Sequence, residues 1–131
     1  MEAMIRDSLE PFCPYYHHAV ELIGRRWTGA ILRAMLTGMS RFSQLAETIP
    51  GLSPRMLSER LKELEAEGIV VRSVIPTVPV RIEYQLTEKG HSLGSVVEAV
   101  AKWAEQWADQ PADQPADAVA AGGSAPAAID S

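Results

Sequence analysis

The sequence predicts a mainly α domain carrying one small β-hairpin, an α+β fold. Three observations predict it. Apolar residues recur every three or four positions from residue 14 to 67 and again from 88 to 107, the spacing that gives a helix one buried stripe. Between those blocks the pattern changes: IVVRSVI at 69–75 is rich in β-branched residues, and VRIEYQL at 80–86 alternates, as a half-buried strand does. Gly24, Gly38, Pro50-Gly51 and Gly68 punctuate the helical part, where glycine and proline end helices or make turns.

Taken in order, residues 1–12 read as a mobile arm. From Pro14 the segment YYHHAVELIG is a short amphipathic helix ending at Gly24. Arg25 to Thr37 is a second helix, with Trp27, Ile31, Leu32, Met35 and Leu36 on its buried side and Gly38 as its stop. Phe42 to Ile49 is the third, with Phe42, Leu45 and Ile49 at helical spacing. Pro50-Gly51 then turns the chain into the fourth helix, Ser53 to Glu67. Ser53 can cap it, Pro54 suits the first helical position, and Gly68 suits a left-handed C-terminal residue. Ile69–Ile75 and Val80–Leu86 pair as a hairpin. Val80, Ile82, Tyr84 and Leu86 share one face of the second strand, and Arg81, Glu83 and Gln85 the other. The connection Pro76-Thr77-Val78-Pro79 adds little pairing, because proline has no N–H. After Thr87 a long helix runs from about Glu88 to Trp107, with Leu93, Val96, Val97, Val100, Ala104 and Trp107 on its apolar side. Residues 109–131, with ADQPADQPADA and almost no large apolar side chain, read as a disordered acidic Ala/Pro-rich tail that cannot offset its ordering entropy.

Bulk properties exclude several classes. A chain of 131 residues, 47% hydrophobic and 22% charged, suits one domain with its own core. No apolar run approaches the roughly 20 residues of a membrane span. The N-terminus MEAMIRDSLEPFCPYY carries acids where a signal peptide has a basic end and an apolar stretch, so a cytoplasmic location is expected, with no membrane partner. One cysteine excludes an internal disulfide framework. The net charge of −5 is unevenly spread: residues 24–90 hold ten basic against seven acidic side chains, a net of +3, while residues 111–131 hold three aspartates and no basic residue. Phosphate attraction is local, so a mildly basic face permits nucleic-acid binding.

The fourth helix carries the function. Leu57, Leu61 and Leu64 form one stripe, and the opposite face holds Arg55, Ser58, Glu59 and Lys62. Two short helices joined by a tight turn, the second polar outward, are the layout of a helix-turn-helix whose second helix enters the DNA major groove. The following hairpin is then the "wing" of a winged helix-turn-helix.

The order of these motifs resembles the HxlR family of bacterial winged helix-turn-helix transcription regulators. The resemblance rests on Cys13-Pro14, GRRW at 24–27, RFSQL at 41–45, IPGLSPRMLSERLKELEAEGIVVR at 49–72 and VPVRIEYQLTEKG at 78–90. It covers roughly residues 13 to 107. Arg26 stands where the family usually has Lys, and Ile75 where an aromatic is frequent; neither departure touches the fold, and Ile75 is the one that could alter the wing or a small-molecule contact. The resemblance implies a homodimer that represses or activates a nearby gene, with repression the reading adopted. It pairs through the N-terminal and long C-terminal helices, which would use Tyr15, Tyr16, Val96, Val100, Trp103 and Trp107. A symmetric dimer requires a roughly palindromic double-stranded operator, its recognition helices about 34–36 Å apart. Some members detect oxidants or electrophiles through a cysteine at the place of Cys13. A thiol near a helix N-terminus can be activated, whereas a lone cysteine is more often an inert apolar residue. Without a second cysteine, any disulfide must be intermolecular or made with a small thiol. An oxidant or small-molecule inducer is the partner this implies.

Among the candidate contacts, Arg55 can donate two hydrogen bonds to guanine O6 and N7, or merely pair with Glu59 at i,i+4. Lys62 and Ser58 suit phosphates or plain exposure. Glu59 either accepts from cytosine N4 or orients Arg55. Ser53 stands at the same helix N-terminus, and Arg60, beside the leucine stripe, suits a structural salt bridge. Arg72 and Arg81 on the wing suit the minor groove, or a cross-strand pair such as one with Glu83. Thr77 at the hairpin tip suits the DNA backbone, and Arg41 and Ser43 suit phosphates near a helix N-terminus. His17, His18 and His91 converge poorly, so no metal is expected. Trp27, Trp103, Trp107, Tyr15 and Tyr16 suit packing better than a ligand pocket. No nucleophile–base set or phosphate-binding glycine loop occurs, so neither catalysis nor a cofactor is expected. The domain is placed at 13–108. The alternative function is a winged-helix protein-interaction or dimerisation module without specific DNA binding.

Overall fold

A computed structural model describes residues 10–110. The arm expected over 1–12 and the tail expected over 109–131 therefore lie almost entirely outside the described residues. Within them the chain forms α1 (Pro14–Ile23), α2 (Thr28–Leu36), α3 (Phe42–Thr48), α4 (Pro54–Ala66), β1 (Val70–Ile75), β2 (Arg81–Leu86), α5 (Glu88–His91) and α6 (Gly94–Trp107). The mainly α fold with one hairpin is what the sequence predicts.

The core is built where the helical periodicities converge. Ile31 and Leu32 of α2, Leu45 of α3 and Leu57, Leu61 and Leu64 of α4 are each at most 1% exposed, and Ile69 and Val70 continue the cluster at the root of β1. α2 is the central post, packed against α1, α3, α6 and β2. The hairpin is antiparallel, with Val70 opposite Leu86, Arg72 opposite Tyr84, and Ile75 opposite Arg81. The stretch before α3 borders β2, since Tyr84 N–H donates to the Ser40 carbonyl at 2.7 Å and Arg41 pairs with Glu83 across an isolated bridge. The wing is thereby fixed to the helical body.

Three details differ from the sequence expectation. The second helix begins at Thr28, not Arg25. Gly24 closes α1, and Trp27 sits in the left-handed region at φ +80°, so residues 24–27 form a turn that reverses the chain before Ile31 N–H reaches the Trp27 carbonyl at 2.9 Å. The long C-terminal helix is interrupted between His91 and Gly94. Ser92 Oγ donates back to the Lys89 carbonyl at 2.6 Å, and Gly94 starts α6; back-bonding serine and glycine both weaken a helix interior. The break lets α5 stay anchored by Thr87, whose Oγ1 accepts from Gly90 N–H at 3.1 Å and donates to the Gly68 carbonyl at 2.6 Å. Finally, Val80 lies outside β2 and is 61% exposed, so the alternating face starts at Ile82.

Candidate nucleic-acid interface

The helix–turn–helix pair is α3, the turn 49–53, and α4. Gln44 closes the start of α3 by accepting from Ser40 N–H (3.3 Å) and Arg41 N–H (3.1 Å) through Oε1. Gly51 takes φ +84° in the turn, a conformation that side chains rarely adopt. Ser53 then caps α4: its Oγ accepts from Met56 N–H at 3.1 Å, and Pro54 occupies the first helical position, which needs no donor. At the other end Gly68, at φ +76°, donates to the Glu65 carbonyl (2.9 Å) while Ile69 N–H donates to Leu64 (2.9 Å). That is the paired-bond glycine stop, with buried Leu64 and Ile69 supplying its apolar contact. Both ends of α4 are thus defined by residues legible in the sequence.

With Leu57, Leu61 and Leu64 wholly buried, the helix has only one face to offer. The Arg55 side chain is 88% exposed there, its Nε 3.6 Å from Glu59 Oε2. The i,i+4 pair with Glu59 is therefore present, and such a surface pair is weak and easily exchanged. Lys62 is exposed on the same side and Ser58 half-buried. Arg60 lies on the inner flank, 8% exposed, donating through Nε to the Arg26 carbonyl (2.9 Å) and through Nη1 to Glu63 Oε2 (3.0 Å). This is the structural role expected of it.

The wing residues divide differently from expectation. Arg72 is exposed on β1, opposite Tyr84. Arg81 has Nε 3.1 Å from Glu83 Oε2, within ion-pair distance but without an N–H directed at it. Both residues lie on β2, so the pairing runs along one strand and is not the cross-strand pair expected. Their side chains share a face because strand residues two apart do. The backbone of Glu83 also pairs with that of Arg41 across the isolated bridge, so two of the candidate arginines are neighbours of one residue of β2. Sequence spacing could place Arg81 and Glu83 on one face but could not bring Arg41 to them. Thr77 at the tip donates its hydroxyl to the Pro79 carbonyl at 2.7 Å, which rigidifies the hairpin end. Ser43 is exposed in the first turn of α3.

On the far side, α1 and α6 present apolar surface. Tyr15 and Tyr16 are 87% and 71% exposed, Val100 60%, Trp103 67% and Trp107 49%, with Val96 exposed beside them. A cavity of about 360 Å³ lies where Ile23, Ala30, Leu32, Val96, Val97 and Val100 meet. Trp27, by contrast, packs partly against the core. Cys13 is half-buried at the N-cap position of α1 and its carbonyl accepts from His17 N–H at 2.9 Å. His18 Nε2 lies 3.0 Å from Glu67 Oε2, and among the described residues no three His, Cys, Asp or Glu side chains cluster.

The comparisons with known proteins agree with this arrangement. Residues 22–112 match the family model for the HxlR-like helix-turn-helix. The HTH-type transcriptional regulator YvaP of Bacillus subtilis (strain 168) is 50% identical over 92 residues, covering 70% of this chain and 85% of YvaP. Among solved structures, the reduced form of the transcriptional regulator YodB from B. subtilis superposes with a TM-score of 0.68 at 44% identity, covering 76% of this chain and 98% of YodB. The redox regulator HypR in its oxidised form superposes with a TM-score of 0.67 at 38% identity, covering 72% and 96%. The chain therefore belongs to the HxlR-like helix-turn-helix family, a family of HTH-type transcriptional regulators.

Proposed function

We propose that this protein is a homodimeric transcriptional repressor that binds a roughly palindromic operator in the cytoplasm, with residues 13–108 as the binding domain. α4 lies in the major groove and the hairpin 69–86 rests on the flanking backbone or minor groove. The observation that carries this reading is the division of α4: three leucines wholly buried on one face, and Arg55 almost fully exposed on the other beside Glu59 and Lys62. Arg55 reads a base edge; Ser53, Ser58, Lys62, Arg41 and Ser43 meet phosphates; Arg72, Arg81 and Thr77 serve the wing. An apolar outward face on α4 would have favoured a protein-interaction module, and that face is polar. Tyr15, Tyr16, Val96, Val100, Trp103 and Trp107 are the dimer surface, since exposed aromatic and aliphatic residues of this number on two neighbouring helices call for a cover.

Sensing belongs to the same proposal. YodB has a quinone-bound structure and HypR an oxidised one. Here Cys13, the sole thiol of the chain, stands at the start of α1, next to the proposed dimer surface. Reaction of its sulfur with an electrophile or oxidant changes α1 and, through it, operator affinity. The experiment is a mobility shift on fragments of the protein's own upstream DNA at several salt concentrations, with Arg55→Ala alongside. Specific, salt-sensitive binding that Arg55→Ala weakens by roughly 1–3 kcal/mol is expected. Equal binding by the variant removes the base-reading role of Arg55. Binding no better than non-specific on every fragment, and on genomic DNA, leaves the protein-interaction module in its place.

A further inference from the structure

The turn between α1 and α2 meets the middle of α4 and the turn that enters it, and α1 itself reaches the residue that follows α4. Trp27 holds a left-handed backbone, the one non-glycine residue among those described to do so, and a bulky residue there is strained unless its surroundings hold it. Its ring packs over Gly51 in the turn that enters α4: a Cβ on Gly51 would lie 3.2 Å from Trp27 Cη2. The Arg26 guanidinium stacks over the same ring, 4.7 Å from its centre. Further along, Arg60 of α4 donates to the Arg26 carbonyl at 2.9 Å and to Glu63 at 3.0 Å. Arg25 Nε lies 3.3 Å from Glu63 Oε1, and His18 of α1 reaches Glu67, just past the last turn of α4, at 3.0 Å. The contacts fall at the entrance, middle and end of the helix.

Arg60 is the keystone of this set. A guanidinium this buried must have its donors matched, because an unpaired buried charge is costly. Its planar fork serves two acceptors from two separate nitrogens, Nε to the turn's backbone and Nη1 to the helix's own Glu63, a fixed spacing that a lysine's single nitrogen lacks. Resting on the reading of α4 as the recognition helix, we propose that the turn Gly24–Trp27 is the bracket that sets the pose of α4 against DNA. Arg60 and Trp27 are its positioning residues. The same bracket joins α4 to α1, so a displacement of α1 reaches the recognition helix through Arg25, Arg26 and His18 and needs no change in the leucine core.

Pose and fold separate in the readout. A tilted recognition helix loses base-edge contacts, which are demanding in geometry, before it loses phosphate contacts, which are not. The test starts with selection of sites from a random duplex pool by the full-length native protein. Affinity is then compared between the enriched duplex and a scrambled duplex at one salt concentration. Arg60→Met should lower the ratio of the two affinities at least tenfold, about one lost base contact, while scrambled-duplex binding stays within about twofold. Arg60→Lys, which keeps one donor direction, should fall between Arg60→Met and native. Should Arg60→Met lose its helical circular dichroism, Arg25→Gln decides, because that side chain is half exposed and its loss spares the core; a roughly threefold fall in the ratio is expected. A ratio unchanged in the folded variant, including an equal fall on both duplexes, overturns the bracket. A native protein that enriches no sequence overturns the recognition-helix reading instead.

Discussion

Substituting Ser53 separates its two assigned roles, helix cap and neighbour of DNA phosphate. In the folded protein Ser53 Oγ accepts from Met56 N–H at 3.1 Å, and Pro54 carries no N–H to satisfy. Arg55 and Met56 are therefore the first-turn donors without a backbone partner, and Ser53 meets that of Met56. Ser53→Ala removes the acceptor and costs about 1 kcal/mol, which for an ordered domain of this size lowers Tm by about 4–8 °C. Ser53→Asp restores the acceptor and adds a negative charge at the positive end of the helix, so Tm should stay near native. DNA reverses the order. A new carboxylate roughly 6 Å from a phosphate costs about 1 kcal/mol per half-site at intermediate dielectric, hence about 2 kcal/mol, roughly thirtyfold, for a dimer. Ser53→Ala loses only a neutral donor. The expected ranking is native and Asp above Ala in Tm, and native above Ala above Asp in affinity. Thermal melts at fixed protein concentration and titrations at two salt concentrations measure both. Aspartate binding as tightly as alanine would refute the placement of this helix end against the phosphates. An alanine variant as stable as native would refute the cap.

Gly90→Ala should destabilise by about 1–3 kcal/mol in chemical denaturation. Its Cβ would collide with the Ile69 carbonyl and approach Leu86 Cδ2 to 3.0 Å. A neutral result would mean that α5 is not seated against the wing root. Trp103→Glu should convert the dimer to monomer in sedimentation and cost the monomer fold at most about 0.5 kcal/mol, since the side chain is exposed. An unchanged dimer would move the interface away from α6. Cys13→Ser should bind operator as native does yet keep that affinity when a quinone or diamide is added. A variant released as readily as the native protein would place the sensor elsewhere.

Much of the fold was legible because its signals are local. Ser53 and Gly68 bound α4 through hydrogen bonds within five residues of each, Pro54 suits its first position by lacking an N–H, and the leucine spacing alone dictates which face is buried. The wing was legible from a change of period. What escaped depends on partners far along the chain. Trp27 reads as part of a helix until its ring is seen to need Gly51 beneath it. The break between α5 and α6 leaves α5 tied through Thr87 to Gly68, nineteen residues earlier. At the candidate site the exposed face of α4 was readable residue by residue. The approach of Arg41 to the Arg81–Glu83 pair was not, because it requires the backbone before α3 to meet β2.

The placement of α4 in the major groove of a dimer's operator is tested most directly by methylation interference on the selected duplex. Methyl groups on guanine N7 project into the major groove, and those on adenine N3 into the minor groove. Blocked binding by guanine N7 methylation in two clusters centred about one helical turn apart is the expected result. Tight, specific binding that no guanine N7 methyl disturbs on a guanine-containing site, with interference only at adenine N3, would contradict it.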